Sequence, residues 1–309
     1  VNPYAETLLA GAIEQYGPRG TDEYLFQLWQ MVPEQYMEGV LAENWKVTAD
    51  PPGVTFYLRQ GIMWTGNTNI GMEPRELIAD DVAFHLERLK AKPGNESRYA
   101  FVKSITATDR YTVHVEMSEY TANWPMLLGW WIGTAIHPPE VVEADASDWR
   151  NAVGTGPFII TNYVEGSACT YERNPNYRGT TTINGKEYQL PFIDELIYPI
   201  IPDESTQLAA LRTGQVDWMP IIQPIYEDSL TQSSPGLIQS KYLSASVTAW
   251  KINAISSEYF CNRNIRRALM IATDLKGIRD SLFPGGEIDG FPLAQGLPAY
   301  TPLEELPES

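Results

Sequence analysis

Four short stretches between Val153 and Met219 carry the strongest signal in this chain, because of their order and spacing. They read Val153-Gly-Thr-Gly-Pro-Phe158, Glu172-Arg-Asn-Pro-Asn-Tyr177, Ile201-Pro-Asp-Glu-Ser-Thr206 and Ala209-Ala-Leu-Arg-Thr-Gly-Gln-Val-Asp217. The last two frame a helix, since Asp203 is a preferred N-cap residue and Gly214 suits the position after a helix end. The first two border strands, and the patterns over 158–163 and 168–173 predict a hairpin whose loop contains Gly166.

Local patterns predict further strands and one longer helix outside that region. Apolar and polar residues alternate over 54–59 and 111–117, which is typical of strands with one buried face. Asp80 and Asp81 place negative charge at the start of a predicted helix, which ends at Lys92-Pro-Gly-Asn95. The apolar run 196–201 predicts a strand, and Pro199 assigns it to a sheet edge or a strand end, since proline has no N–H to donate.

In order and spacing, the four stretches resemble the oligopeptide- and dipeptide-binding family of large extracytoplasmic solute-binding proteins, which serve ABC importers. Further segments are similar to the family's early signature, its next helix and the opening of its last large domain. These segments are 41–45, 56–64, 79–88, 252–253 and 264–274. The resemblance therefore extends from about Leu41 to about Gly285.

The resemblance implies an α/β fold, with a periplasmic-binding-protein-like lobe of type II that has a mixed sheet and an inserted small α+β domain. The inserted domain would span residues 8–144, and the first lobe residues 1–7 and 145–253. Residues 254–309 would begin a truncated second lobe, with the hinge near Asn253. The chain is thus expected to be a fragment that lacks the family's N-terminal strand and most of its second lobe.

Composition restricts the class of protein further. The 309 residues suffice for about two domains, and the formal net charge of -17 argues against a nucleic-acid partner, which needs a basic face. No apolar stretch of the sequence approaches the roughly 20 residues of a membrane-spanning helix. Together with the resemblance, these features predict an exported protein of the periplasm or the cell surface. A lipid anchor on the parent protein stays open.

The histidines and cysteines argue against a metal or cofactor site. His85, His114 and His137 fall in a helix, a strand and a loop without ligand spacing, so structural or surface roles are expected. Cys169 and Cys261 fall in different predicted lobes, and we expect two free, buried thiols instead of a disulfide. We therefore predict no metal and no cofactor.

An enzyme is the less favoured class. The chain has no Gly-x-Ser-x-Gly elbow and no phosphate-binding glycine loop, and 39 acidic residues make adjacent carboxylates uninformative. A glycosidase needs two carboxylates that face each other across a cleft, which a sequence does not show. A secreted hydrolase stays open as an alternative, as does a peptide-binding chaperone or sensor on the same fold.

Aromatic residues carry the positive evidence for a binding site. Nine Trp and 17 Tyr exceed the needs of a core of this size, and aromatic walls suit a receptor pocket. Trp130 and Trp131 are adjacent, so in an extended segment their side chains would point to opposite faces. The resemblance implies eight ligand-binding residues, namely Tyr99, Phe101, Trp131, Thr134, Met219, Ile221, Ser246 and Trp250.

The predicted function is that of a solute receptor without a catalytic step. The receptor would close two lobes around a ligand and present the closed form to an ABC permease in the membrane. A peptide is the leading ligand, because peptides are the commonest class that the resemblance implies. An oligosaccharide is the main alternative because of the tryptophan content, and nickel chelates and haem are minor ones.

Overall fold

A computed structural model describes residues 3–26, 31–241, 251–286 and 288 of the chain. These residues divide into two units, one formed by 3–26 and 31–200 and the other by the described residues from 201 onward. The division follows Ile200, whereas the resemblance implies boundaries after residues 144 and 253. Those boundaries remain a prediction for the intact protein.

The elements of the described residues are mostly short strands. The strands are β1 (Leu9–Gly11), β2 (Met37–Gly39), β3 (Ala42–Ala49), β4 (Pro52–Leu58), β5 (Val102–Asp109), β6 (Thr112–Met117), β7 (Phe158–Val164), β8 (Ala168–Arg173), β9 (Thr180–Ile183), β10 (Lys186–Gln189) and β11 (Glu195–Pro199). The α-helices are α1 (Ile13–Tyr16), α2 (Ala79–Ala91), α3 (Pro139–Glu143), α4 (Glu204–Arg212), α5 (Glu227–Ser233), α6 (Arg263–Ala272) and α7 (Leu275–Leu282). Among these described helices, none has the length and apolar character that crossing a membrane would require.

The core of the first unit lies between a four-stranded sheet and α2. The sheet has the order β3-β4-β6-β5, and each neighbouring pair is antiparallel. Val54, Phe56 and Leu58 alternate along β4 as buried residues, and α2 buries Val82 and Leu86 in the same core. Burying these apolar side chains supplies the main driving force for folding this unit. The strands predicted over 54–59 and 111–117 are confirmed, and so is the helix predicted to begin at Asp80.

A three-stranded sheet contains the predicted hairpin. β7 and β8 pair antiparallel around the loop at 165–167, where Gly166 has a φ of 70°. β11 pairs with β8 only, in the order β11-β8-β7, so Pro199 ends an edge strand as predicted. A further hairpin, β9–β10, turns at Asn184-Gly185, where both residues have positive φ. Every pairing among the described strands is antiparallel, so the parallel pairs of a mixed sheet are not seen in this part of the chain.

In the second unit, α4 is the helix predicted between Asp203 and Gly214. Asp203 Oδ1 accepts a hydrogen bond from the backbone N–H of Thr206 at 2.8 Å, which caps the helix start. Gly214 has a φ of 68°, the left-handed conformation that suits a glycine after a helix end. Both end signals read from the sequence are confirmed.

The two cysteines are free, as predicted, but they are not both buried. Cys169 is half-buried on β8, whereas Cys261 is exposed in the turn before α6. The prediction of two buried thiols is wrong because Cys261 lies on a surface turn and faces no core. Its Sγ donates to the backbone carbonyl oxygen of Glu258, at 3.2 Å.

Candidate functional site

An irregular segment of the first unit, residues 124–137, contains two of the predicted ligand residues, and we call it the Trp131 segment. A π-helix covers Pro125–Trp130, and a 3₁₀ turn covers Ile132–Thr134. The backbone N–H and the hydroxyl of Thr134 both donate to the carbonyl oxygen of Trp131, each at 2.7 Å. These two bonds fix Thr134 relative to Trp131, and we call residues 131–134 the Trp131 turn. Single π-helical turns occur frequently at functional sites.

The adjacent tryptophans form an aromatic corner next to this turn. Trp130 and Trp131 are both half-buried, and their ring centroids lie 6.2 Å apart at an interplanar angle of 64°. The opposite orientation expected for an extended segment does not apply here, because Trp130 is the last residue of the π-helix. An edge-to-face pair that keeps part of its surface accessible can stack against an apolar or aromatic group.

Tyr99 packs against the same π-helix from the other side of the core. Its ring is 5 % exposed, and its hydroxyl donates to the carbonyl oxygen of Leu127 at 3.1 Å. Burial raises the pKa of the Tyr99 hydroxyl above its ordinary value. Phe101, also predicted to contact ligand, is buried in the same core cluster. In this structure both side chains support the residues around them, and their contact with a ligand remains a prediction.

We expect Tyr99→Phe to lower the free energy of unfolding by about 1–2 kcal/mol, because it leaves the buried Leu127 carbonyl without its partner. Urea denaturation of the two proteins measures this difference. Tyr120→Phe is the matched control, since Tyr120 is exposed and should tolerate the same change. Equal losses in the two variants would contradict the role given to the Tyr99 hydroxyl.

The remaining predicted ligand residues belong to the second unit or lie outside the described residues. Met219 is half-buried and Ile221 is exposed, in the stretch after α4. Ser246 and Trp250 lie outside the described residues. The structure therefore brings Trp131 and Thr134 together and leaves the assignment of the full set as a prediction. Trp218, which the sequence analysis did not select, exposes 68 % of its surface beside Met219.

Two open depressions on the first unit contain none of these residues. One, of about 590 Å³, is lined by Ile159, Thr161, Glu172, Arg173, Pro175, Asp194 and Glu195. The other, of about 560 Å³, is lined by Ser147, Asp148, Trp149, Arg150, Tyr163, Val164 and Glu165. Small-molecule sites usually bury most of the ligand surface, and open depressions of this kind do not. Neither is therefore a better candidate than the Trp131 turn.

Two histidines that are far apart in sequence meet at the end of the Trp131 segment. The backbone N–H of His137 donates to Nδ1 of His85 at 3.3 Å, and the ring centroids lie 5.7 Å apart. Burial lowers the pKa of His85 to about 3, with His137 and Arg88 acting in the same direction. Burial, followed by the charge of Arg88, lowers the pKa of His137 to about 4. Both rings are thus neutral at pH 7.

An ion-pair network holds the next few residues of the chain. Arg75 donates to both carboxylate oxygens of Asp81, at 2.8 and 2.6 Å, and to both of Glu140, at 2.7 and 2.9 Å. Asp81 is buried at the start of α2, where it also accepts from Trp64 Nε1 at 3.2 Å and from the backbone N–H of Ile78 at 3.0 Å. The hydrogen bonds to Arg75 lower the pKa of Glu140 below its ordinary value. The network ties α2 to α3, directly after the Trp131 segment.

The N-terminal segment holds the Trp131 segment from a further direction. The carbonyl oxygen of Glu6 accepts from the backbone N–H of Ile136 at 2.8 Å. The Glu6 carboxylate is itself paired with Arg178, at 2.7 and 3.1 Å. Among the described residues, no group of three or more His, Cys, Asp or Glu side chains is arranged to hold a metal ion. The site so described can offer aromatic contacts to a ligand through the half-buried Trp130 and Trp131, whereas Thr134 is 1 % exposed and its hydroxyl is used within the turn.

Comparison with known proteins identifies the family of this chain. Residues 37–308 match the profile of the bacterial extracellular solute-binding proteins, family 5. Heme-binding protein A of Haemophilus influenzae is 27 % identical over 274 residues, which cover 81 % of this chain and 47 % of that protein. The dipeptide-binding protein of Escherichia coli is 26 % identical over 274 residues, covering 80 % and 48 %. This chain spans about half the length of these relatives.

Solved structures agree on the fold. The periplasmic binding protein DppA from Helicobacter pylori, in complex with the peptide STSA, has a TM-score of 0.72 at 22 % identity, over 95 % of this chain and 55 % of that one. Haemophilus influenzae OppA, in complex with RPPGFSPFR, has a TM-score of 0.65 at 23 % identity, over 92 % and 53 %. The predicted fold of a type II periplasmic binding protein is confirmed. The matched family is one of solute-binding proteins, as the resemblance implied. With 37–308 matched, the chain belongs to family 5 of the bacterial extracellular solute-binding proteins.

Proposed function

We propose that the intact protein is a receptor outside the cytoplasm, in the periplasm or at the cell surface, that captures a peptide and delivers it to an ABC permease. The observation that carries this proposal is the family match over residues 37–308, together with relatives named for dipeptides and solved with peptides bound. The half-buried Trp130–Trp131 pair, next to the Trp131 turn, suits a peptide, because apolar peptide side chains can stack against the two indole rings.

Haem is a second candidate ligand, because the relative at 27 % identity is named a heme-binding protein. The histidines of this chain argue against it. The buried His85 and the half-buried His137 lie against each other, and His114 Nδ1 is 2.9 Å from the hydroxyl of Thr55 in the sheet. A histidine ligand for haem iron would need a free nitrogen facing the site. We therefore place peptide first and haem second.

Calorimetric titration of the intact protein tests the proposal. The probes are the peptide Ser-Thr-Ser-Ala, haem, and a linear trisaccharide for the oligosaccharide alternative. We expect the peptide to bind with a dissociation constant of about 1 µM or tighter, which corresponds to about 8 kcal/mol of binding free energy. The 309-residue chain should bind the same peptide far more weakly if a second lobe completes the pocket. Binding of haem or the trisaccharide without peptide would contradict the peptide assignment, and submicromolar binding by this chain alone would contradict the two-lobe pocket.

A further inference from the structure

Two hydrogen bonds from backbone N–H groups anchor the chain directly after the Trp131 turn. The chain runs from Thr134 through Ile136 to His137, and both later residues are anchored by their backbone N–H groups. Ile136 is anchored on the backbone of Glu6, and His137 on the side chain of His85. Only Ala135 separates the turn from the first of these two adjacent anchors. A shift of His137 would therefore move Thr134 and, through their shared hydrogen bonds, Trp131.

The His85 contact requires one particular tautomer. A neutral imidazole has one acceptor nitrogen, so an Nδ1 that accepts the His137 N–H leaves the hydrogen on Nε2. His85 is 1 % exposed, and Nε2 has no partner at hydrogen-bond geometry among the described residues, while the backbone of Gly133, within the Trp131 turn, acts on the ring by raising its pKa against the larger effect of burial. Burial keeps the pKa of this ring near 3, so the acceptor is available across the neutral pH range. The titratable or charged groups that act on the ring are His137 across the contact and Arg88 on the same helix.

We propose that His85 is a positioning residue for ligand binding, acting through the hydrogen bond from the His137 N–H to its Nδ1. The inference rests on the proposed function, in which the Trp130–Trp131 pair contacts the peptide. α2 is suited to this role because the same helix carries Asp81, one turn earlier, in the ion-pair network that holds α3. α2 thus holds the chain after the Trp131 turn at two points. His85 contacts His137, and Asp81 is linked through Arg75 to Glu140 on α3.

Two nearly isosteric variants test the acceptor position. His85→Asn places an amide oxygen near the position of Nδ1, whereas His85→Gln places its amide one bond further out, near Nε2. Both variants are polar and uncharged, and the smaller Asn leaves more of the buried volume unfilled, so a better result for His85→Asn would not come from better packing. Proteins labelled with 5-fluorotryptophan give a fluorine NMR signal for each tryptophan, and Trp131→Phe identifies the signal of Trp131. Hydrogen exchange of the His137 amide is measured in the same samples.

We expect His85→Asn to keep the Trp131 signal and the His137 exchange rate of the wild type. His85→Gln should shift the Trp131 signal, leave the Trp45 signal in place, and raise the His137 exchange rate by at least about fivefold, the factor that one neutral hydrogen bond is worth. Equal behaviour of the two variants would overturn the proposal. Should neither variant fold, nitrogen NMR of the wild type decides, because a hydrogen on Nδ1 of His85 at pH 7 is incompatible with the proposed contact.

Titration of the intact protein with the peptide Ser-Thr-Ser-Ala completes the test. His85→Gln should weaken binding by about fivefold relative to wild type, and His85→Asn by less than about twofold. Unchanged affinity in His85→Gln, with a displaced Trp131 signal, would overturn the link between position and binding. If the wild type itself binds no peptide, the proposed function fails, while the fluorine and exchange results still decide whether His85 positions the turn.

Discussion

Lowering the pH from 7 to 4 should reduce the free energy of unfolding by about 6 kcal/mol through His85 and His137. In the unfolded chain a histidine has a pKa of about 6.5. In the folded protein the pKa of His85 is about 3 and that of His137 about 4, mainly because His85 is buried and the half-buried His137 is largely removed from water. Between about pH 6.5 and 4, the unfolded state therefore binds protons that the folded state excludes. Stability then falls as pH falls, by up to about 1.4 kcal/mol per pH unit for each histidine.

Urea denaturation at half-unit pH intervals measures this slope. Glu140 and Asp203 also have lowered pKa values, from the Arg75 hydrogen bonds and from Ser205 and Thr206 respectively. These carboxylates act in the same direction, but only below their ordinary range near pH 4. The slope between pH 6.5 and 5 is thus the histidine signal. His85→Asn should halve this slope. His114→Gln is the control, because it removes a histidine outside the His85–His137 pair. A flat profile from pH 7 to 5 would contradict the model of two neutral rings.

Features that depend on neighbours along the chain could be predicted from the sequence. The alternation over 54–59 reports one buried face of a strand whichever sheet it joins, and Asp203 and Gly214 terminate a helix by contacts within a few residues. Pro199 restricts its strand to an edge because the missing N–H is a property of proline alone. The hairpin at Asn184-Gly185 carried an equally local signal, which the sequence analysis did not use.

Features that depend on distant partners could not be predicted. His85 and His137 are 52 positions apart, and Arg75 and Glu140 are 65 apart, so no spacing rule relates them. Each residue alone resembles an ordinary helix or loop residue, and only the packing of α2 against the later segment pairs them. The π-helix at Pro125–Trp130 could not be predicted either, because six residues with a π-helical turn are too few to show a periodic pattern in the sequence. The candidate site consists largely of such features.

The Arg75 network should make Arg75→Met one of the more destabilising single changes in the first unit. Asp81 is 3 % exposed, and its carboxylate accepts four hydrogen bonds. Two of these bonds come from the Arg75 guanidinium. Removing the guanidinium leaves a buried carboxylate with only Trp64 Nε1 and one backbone N–H. Breaking a buried ion pair from one side costs about 3–5 kcal/mol, and the one-third exposure of Arg75 places the expected loss near 3 kcal/mol.

A double-mutant cycle separates the ion pair from the loss of arginine packing. Arg110→Met is the matched surface control, since the Arg110–Glu76 pair is exposed on the arginine side and should cost about 0–1 kcal/mol. Arg75→Met leaves the buried Asp81 carboxylate without its counter-charge, and Asp81→Asn removes that carboxylate charge. The double variant should therefore lose clearly less stability than the sum of the two single variants. Additive losses would mean that Arg75 and Asp81 stabilise the fold independently. A loss in Arg75→Met no larger than in Arg110→Met would contradict the burial of the carboxylate, because a solvated Asp81 would exchange the guanidinium for water at little cost.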